Sequence, residues 1–483
     1  MCKNNILILV TAILFSLNIL TTNVSFAYPI NNANTEYALA INKFALANVR
    51  TAHSDFNNII ENSSNTNFTL LNKAILLAEY GFFNLSDKIF SKVEDFDISE
   101  NYIKDIKQFY YPSKKISEED LLLLAEGYAN IIYNNYAQEA ILDIVNNNSL
   151  MQHDYTYYIL ALAYYETKDF NQALNYITMA TSQNNNINYK ILKTKILLEV
   201  NQKKEATKLL EEIKKTKIQI PELTRKITAL EQYLLYKINK NENYKDYHLG
   251  HYYYIEEKNN FAQNILLDGL SNNPKLNGEI YSLLAILHYE NNPTKAEEYA
   301  KKALRTGFER YQAHYVLALC KLAEGHSKTA MRSLSKASSL EKNTNFAKLK
   351  MAELLTKDNK NKKANKILLN IIKNQPNNYQ AYYHLALLNP EKAEYYLKKG
   401  LSYNVSFPPG YEKLCEIYID REYFNMAKNY INNLQYIDEN DFKYYYYQSK
   451  IESAMGNTDK ADFLLEQCEI AEPNFRDKIN KDL

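Results

Sequence analysis

The chain has 483 residues, 46% apolar and 23% charged, and a formal net charge of +1. A balance this close to zero gives no global attraction for nucleic acid or an anionic membrane. Ten glycines and ten prolines are too few for the many tight turns of an all-β fold, so helix is the expected state.

The first element is a leader. MCKNN carries one lysine, ILILVTAILFSLNIL is apolar except for Thr11, Ser16 and Asn18, and Ser25-Phe26-Ala27 closes it with small residues around Phe26. This tripartite form predicts a secretory signal peptide over 1–27, cleaved after Ala27. The apolar run is short of the ~20 residues that span a bilayer. The competing expectation is an uncleaved signal anchor over residues 6–20. Cys2 lies too early for a lipid-attachment box. Loss of Lys3 with the leader brings the 57 basic residues to parity with the 56 acidic ones.

Residues 28–66 read as one or two irregular helices. Beyond them a repeating frame is best seen at 247–274, YHLGHYYYIEEKNNFAQNILLDGLSNNP. With Ala262 as origin, Leu249-Gly250 and Tyr253 precede it, and Leu266, Gly269 and Pro274 follow. Alanine recurs at 140, 173, 206, 262, 296, 330, 364, 393, 427 and 461, with gaps of 33, 33, 56, 34, 34, 34, 29, 34 and 34. In each unit a first helix shows i, i+3, i+4, i+7 spacing, as in Tyr157, Leu160, Ala161 and Tyr164, and a second follows, as in Ala173, Ile177 and Ala180. Such a hairpin cannot bury its apolar stripe alone and must stack on neighbours.

The frame divides the chain. Residues 67–153 are degenerate helical repeats, with 70–93 still in register through Ala74, Gly81, Phe90 and Val93, and Ser86 in the alanine's place. Residues 154–242 hold two repeats and an extra helix, PELTRKITALEQYLLYKINK. A regular array spans 243–474, except that the Ala393 unit is five residues short and NPEKA must turn directly. Residues 475–483 are a polar tail or cap.

The 34-residue period, with its Leu-Gly or Leu-Ala pair, aromatic, alanine and closing proline, resembles the tetratricopeptide repeat. Tryptophan, frequent in that family's first helix, is absent; Tyr157, Tyr281, Tyr382, Tyr411 and Tyr445 take its place. The resemblance implies an all-α, right-handed α-α superhelix, or solenoid, of tetratricopeptide-type hairpins. Its concave surface would be lined by the first helices and would grip a peptide.

The sequence lacks a Gly-rich phosphate loop, GxSxG and HExxH, so no catalytic residue, metal or cofactor is expected and the chain reads as a non-enzyme. His248 and His251 have a possible metal spacing; without a third ligand nearby, the preferred reading is two partly exposed histidines. Cys320, Cys415 and Cys468 occupy packing positions and are expected to act as compact apolar groups. A bridge between Cys415 and Cys468 is left open. The basic run at 348–366 and the acidic run at 94–100 read as solvated faces.

The 43 tyrosines carry the candidate site. On the inner face that the resemblance implies, the frame places Tyr158, Tyr165, Tyr247, His251, Tyr254, Tyr289, Tyr315, Tyr383 and Tyr446, with Leu349 at an equivalent position. Tyrosine pairs a broad apolar face with a hydroxyl and loses little entropy on binding. The alternative is compositional: tyrosine wherever a large residue fits. The functional expectation is an exported, periplasmic or extracellular scaffold binding a peptide or protein segment in a tyrosine-rich groove. The alternative is a signal-anchored structural subunit of an envelope assembly or secretion complex, in contact with membrane only through a retained leader. No nucleic-acid partner is expected.

Overall fold

The computed structural model describes residues 35–62, 74–92, 100–147, 149–216, 218, 220–308, 310–341, 345–404, 407–437 and 442–476. The leader and the end of the tail lie outside them. Among the described residues there is no strand, and no helix is long and apolar enough to cross a membrane. The chain is all-α, and tetratricopeptide-type hairpins follow one another in sequence order. They belong to two compact units: residues 193–388 form one, and 35–192 with 389–476 form the other.

One backbone device makes most of the hairpins. Five residues before the frame alanine, the chain enters the left-handed region, at Asn135, Lys168, Asn201, Glu257, Gly325, Asn359, Glu422 and Gly456. The first helix thereby ends in a Schellman closure, its spare carbonyls accepting from the turn. In the 242–268 hairpin the Lys258 N–H donates to Tyr253 O at 2.8 Å and the Glu257 N–H to Tyr254 O at 3.1 Å. His326 and Lys360 repeat the longer bond at 2.8 Å to Lys321 O and Leu355 O. The second helix then starts at once and runs back along the first.

The same device extends the frame toward the N-terminus. Gly81 is left-handed five residues before Ser86, and Ala47 five residues before Ala52. Ala52 is fully buried between helices Thr35–Ala45 and Val49–Asn62. Within the segment read as irregular, residues 35–62 are therefore a hairpin with the regular turn. It was hidden because Ala47 stands where glycine or asparagine usually signals a left-handed residue. Ser86 serves as the alanine does: it is fully buried, and its hydroxyl donates to Ala74 O at 2.9 Å.

The frame alanines at 173, 206, 262, 296, 330, 364 and 427 have no exposed surface. Small residues sit there because two backbones meet. A Cβ on Gly250 would lie 2.6 Å from Leu266 Cγ and 3.3 Å from Ala262 O. Between hairpins the large residues close ranks: Leu266, Ile280, Leu284 and Val316 belong to one buried cluster, with Ala296 and Ala303 among them. Asn-Pro pairs start helices. Asn273 accepts from the Lys275 and Leu276 N–H groups, and Pro274 takes the first helical position where no N–H is needed.

Two turns depart from the rule. Before Ala296 the turn uses Asn292-Pro293, with no left-handed residue. Before Ala393, helix Tyr379–Leu388 passes through a single 3-10 turn, Pro390–Lys392, into helix Ala393–Leu401. Two helices also stand outside the pairing, Glu100–Tyr110 and Pro221–Ile238. The second buries Leu223, Ile227, Leu230 and Leu234. It is tied to the preceding hairpin by Tyr233 and Lys237, which donate to Glu199 at 2.5 and 2.9 Å. Cys320, Cys415 and Cys468 are buried and free, so Cys415 and Cys468 form no bridge.

Candidate functional site

The unit spanning 193–388 contains an open cleft of about 980 Å³. Three groups of residues build it. Thr224, Arg225 and Thr228 come from the first turns of helix Pro221–Ile238. Tyr254, Ile255, Glu257, Asn259 and Glu290 come from the ends of two first helices, the turn after one of them and the first residue of the helix that follows it. Asn345, Phe346 and Leu349, with 377–380, come from the starts of two later first helices, and Gln375 from the end of the second helix between them. The C-terminal ends of two first helices thus share the cleft with the N-terminal starts of two later ones and of the helix outside the frame.

The polar groups are largely braced among themselves. Arg225 pairs with Glu257, the left-handed turn residue, while its Nη2 is buried without a partner. Asn345 donates to Gln375 Oε1 at 2.8 Å and Asn378 to the same oxygen at 3.3 Å. The Ala381 N–H donates to Asn378 Oδ1 at 2.9 Å, and the Phe346 N–H to Glu341 at 2.8 Å. Both helix starts are thus capped. Glu290 ends helix Pro274–Tyr289, is exposed, and makes no ion pair among the described residues. Phe346 keeps 47% of its surface exposed, a large apolar area in water.

Among the described lining residues there is no His, Cys, Ser or Lys; hydroxyls stand on Thr224, Thr228, Tyr254 and Tyr379 and carboxylates on Glu257 and Glu290. The cleft offers apolar faces on Tyr254, Ile255, Phe346 and Leu349, with carboxamides on Asn259, Asn377 and Gln380. Those groups suit a chain of alternating apolar side chains and backbone amides.

The nine sequence candidates fall in different places. Tyr254 lines the cleft. Tyr247, His251 and Tyr254 make one run of ring contacts, at 5.9 Å and 6.3 Å between centroids. His251 is buried enough for its imidazole to titrate at about 4, with neighbouring His248 adding to the shift. Burial raises the Tyr247 hydroxyl likewise, and Glu279 adds to it. Tyr289 and Tyr315 are half-buried and pack on core clusters, Tyr315 with its ring 6.4 Å from Phe346. Burial pushes Tyr315 up to about 12. Tyr383 adjoins His384 at 5.5 Å.

The other three lie in the second unit. Tyr158 is spent on packing: 7% exposed, stacked 4.9 Å from Tyr189, its hydroxyl accepting from Asn188 at 3.0 Å. Tyr165 contacts Phe170 at 5.7 Å, and Tyr446 contacts Tyr447 and Phe475 at 5.3 and 6.5 Å.

Leu349 reaches the cleft from the same frame position as Tyr247. Arg225, Phe346 and the Asn-rich turn at 377–378 carried no sequence signal, because nothing in a repeat frame marks a residue outside it. His248 Nδ1 lies 3.0 Å from Gln232 Oε1, and among the described residues no group of His, Cys, Asp or Glu could hold a metal ion.

No protein-family model and no curated protein matches the chain. Solved structures similar to it include Pseudomonas aeruginosa PilF, at 17% identity and TM-score 0.36, covering 41% of this chain and 94% of that one. The Cut9–Hcn1 hetero-tetramer of the APC/C is similar at 12% identity and TM-score 0.43, covering 90% and 92%. Yeast Tom70 is similar at 15% identity and TM-score 0.38, covering 74% and 86%.

Proposed function

We propose that the protein is an exported, non-enzymatic scaffold that holds a peptide or protein segment in the cleft of the 193–388 unit. The observation that supports this is the cleft's lining: it combines apolar faces on Tyr254, Phe346 and Leu349 with carboxamides, and Phe346 stays exposed. Carboxamides match backbone N–H and C=O groups whatever the partner's side chains, and the aromatic and aliphatic faces take its apolar residues. Export follows from the leader, with the mature chain starting at Tyr28 in the periplasm or outside the cell.

The test is photo-cross-linking in the native host, with p-benzoylphenylalanine in place of Phe346 and, as control, in place of the exposed Phe463. A discrete adduct at 346 and none at 463 supports the reading. Equal labelling at both positions, or none at either, refutes it. N-terminal sequencing of the mature chain tests export independently: retention of residues 6–20 would replace the exported scaffold with the anchored subunit.

A further inference from the structure

We infer that the segment held in the cleft is basic: it places a lysine or arginine against Glu290 and an apolar side chain on the Tyr254–Phe346–Leu349 surface. This rests on the peptide-binding reading and adds the chemistry of the partner. The argument is an inventory of charge. The cleft's lining has three ionic side chains, Arg225, Glu257 and Glu290, and the first two neutralise one another. Lys348, near one wall, already donates to Asn345 Oδ1 at 3.1 Å. Glu290 has no cation among the described residues.

One helix end reinforces that imbalance. Glu290 sits at the C-terminal end of helix Pro274–Tyr289, a negative pole. Three other ends in the lining are muted: Tyr253 O and Tyr254 O accept from the turn after helix Glu242–Ile255, the Phe346 N–H is taken by the Glu341 carboxylate, and the Ala381 N–H by Asn378. A cation on the partner meets an unbalanced carboxylate, while an acidic residue meets repulsion. The apolar half of the rule follows from Phe346, whose exposed ring gains only by being covered.

A phage-displayed library of random decapeptides is selected against the full mature chain and against Glu290→Lys. Glu290 is exposed, so this change leaves the packing intact. Wild type should enrich peptides with Lys or Arg beside an apolar residue. For a synthetic selected peptide, Lys→Glu replacement should weaken binding about threefold to tenfold, as expected of a partly solvated charge pair, and less at high salt. Glu290→Lys should reverse the preference. Enrichment of apolar peptides without charge preference, or of acidic ones, overturns this inference and leaves peptide binding standing. Failure to enrich any peptide overturns both.

Discussion

Glu257 does two jobs at once: it holds the left-handed position between helices Glu242–Ile255 and Asn259–Asp268, and its carboxylate pairs with Arg225 on the helix outside the repeat frame. A hairpin turn is thereby fastened to the helix that forms one side of the cleft. In a double-mutant cycle of Arg225→Ala and Glu257→Gln, followed by urea unfolding, the coupling should stay under about 1 kcal/mol, because Glu257 is largely exposed. A larger value would mean that the pair holds the fold and does more than set the cleft wall.

Lys168 and Glu422 are exposed residues in left-handed conformation, at φ 64 and φ 62. A side chain there costs about 1 kcal/mol that glycine avoids. Lys168→Gly and Glu422→Gly should each raise stability by about 0.5–1 kcal/mol in chemical denaturation. The same substitution at the helical, buried Ala173 should lower it.

Gly250 marks a close approach of two helices, and the obstacle includes backbone as well as the Leu266 side chain. Gly250→Ala should cost about 1–3 kcal/mol by overpacking, seen as a lower thermal midpoint. An unchanged midpoint would mean the hairpin can open at no cost.

Acid should act in two steps. His251 titrates at about 4 in the fold against an ordinary 6.5, mainly through burial. The unfolded chain therefore binds the proton more readily, and stability falls as pH drops from about 6.5 to 4. Glu452 is held down at about 2 by hydrogen bonds from Lys460 and Lys428, with Asn457 adding to them. Its contribution is full above the ordinary 4.5 and is lost as pH falls toward 2. Thermal midpoints against pH should show a shallower first slope in His251→Gln and a shallower second in Glu452→Gln, the remainder coming from groups lowered likewise, such as His384 and Glu394.

Tyrosines of the candidate set should separate by role. Tyr254→Ala should weaken peptide capture with helicity unchanged, whereas Tyr158→Ala should lower the melting temperature by removing a stacked core ring. Equal loss of capture in both, at equal stability, would remove the cleft from the account.

The hairpins were legible because their cause is local and periodic. Ala262, Leu266 and Gly250 recur in register since every hairpin must solve the same packing problem. Even the short unit at Ala393 announced itself as a missing five residues. The first hairpin, at 35–62, was obscured only by an alanine in a left-handed turn. Burial along the aromatic frame was not legible: Tyr158 and Tyr247 occupy one frame position, yet the first stacks on Tyr189 and the second joins His251 and Tyr254.

What the sequence determined, then, was the repeating unit: two helices with small residues at their contact, a sharp turn, and a stripe that demands neighbours. What only the tertiary structure decided was the cleft. Arg225, Tyr254, Glu290, Phe346 and Asn378 are far apart along the chain and share no pattern. They meet because stacking brings the ends of two first helices to the same cleft as the starts of two later ones and of the Pro221–Ile238 helix. Local periodicity encodes contacts between adjacent helices, whereas a cleft is a sum of small displacements over several units, which no single repeat contains.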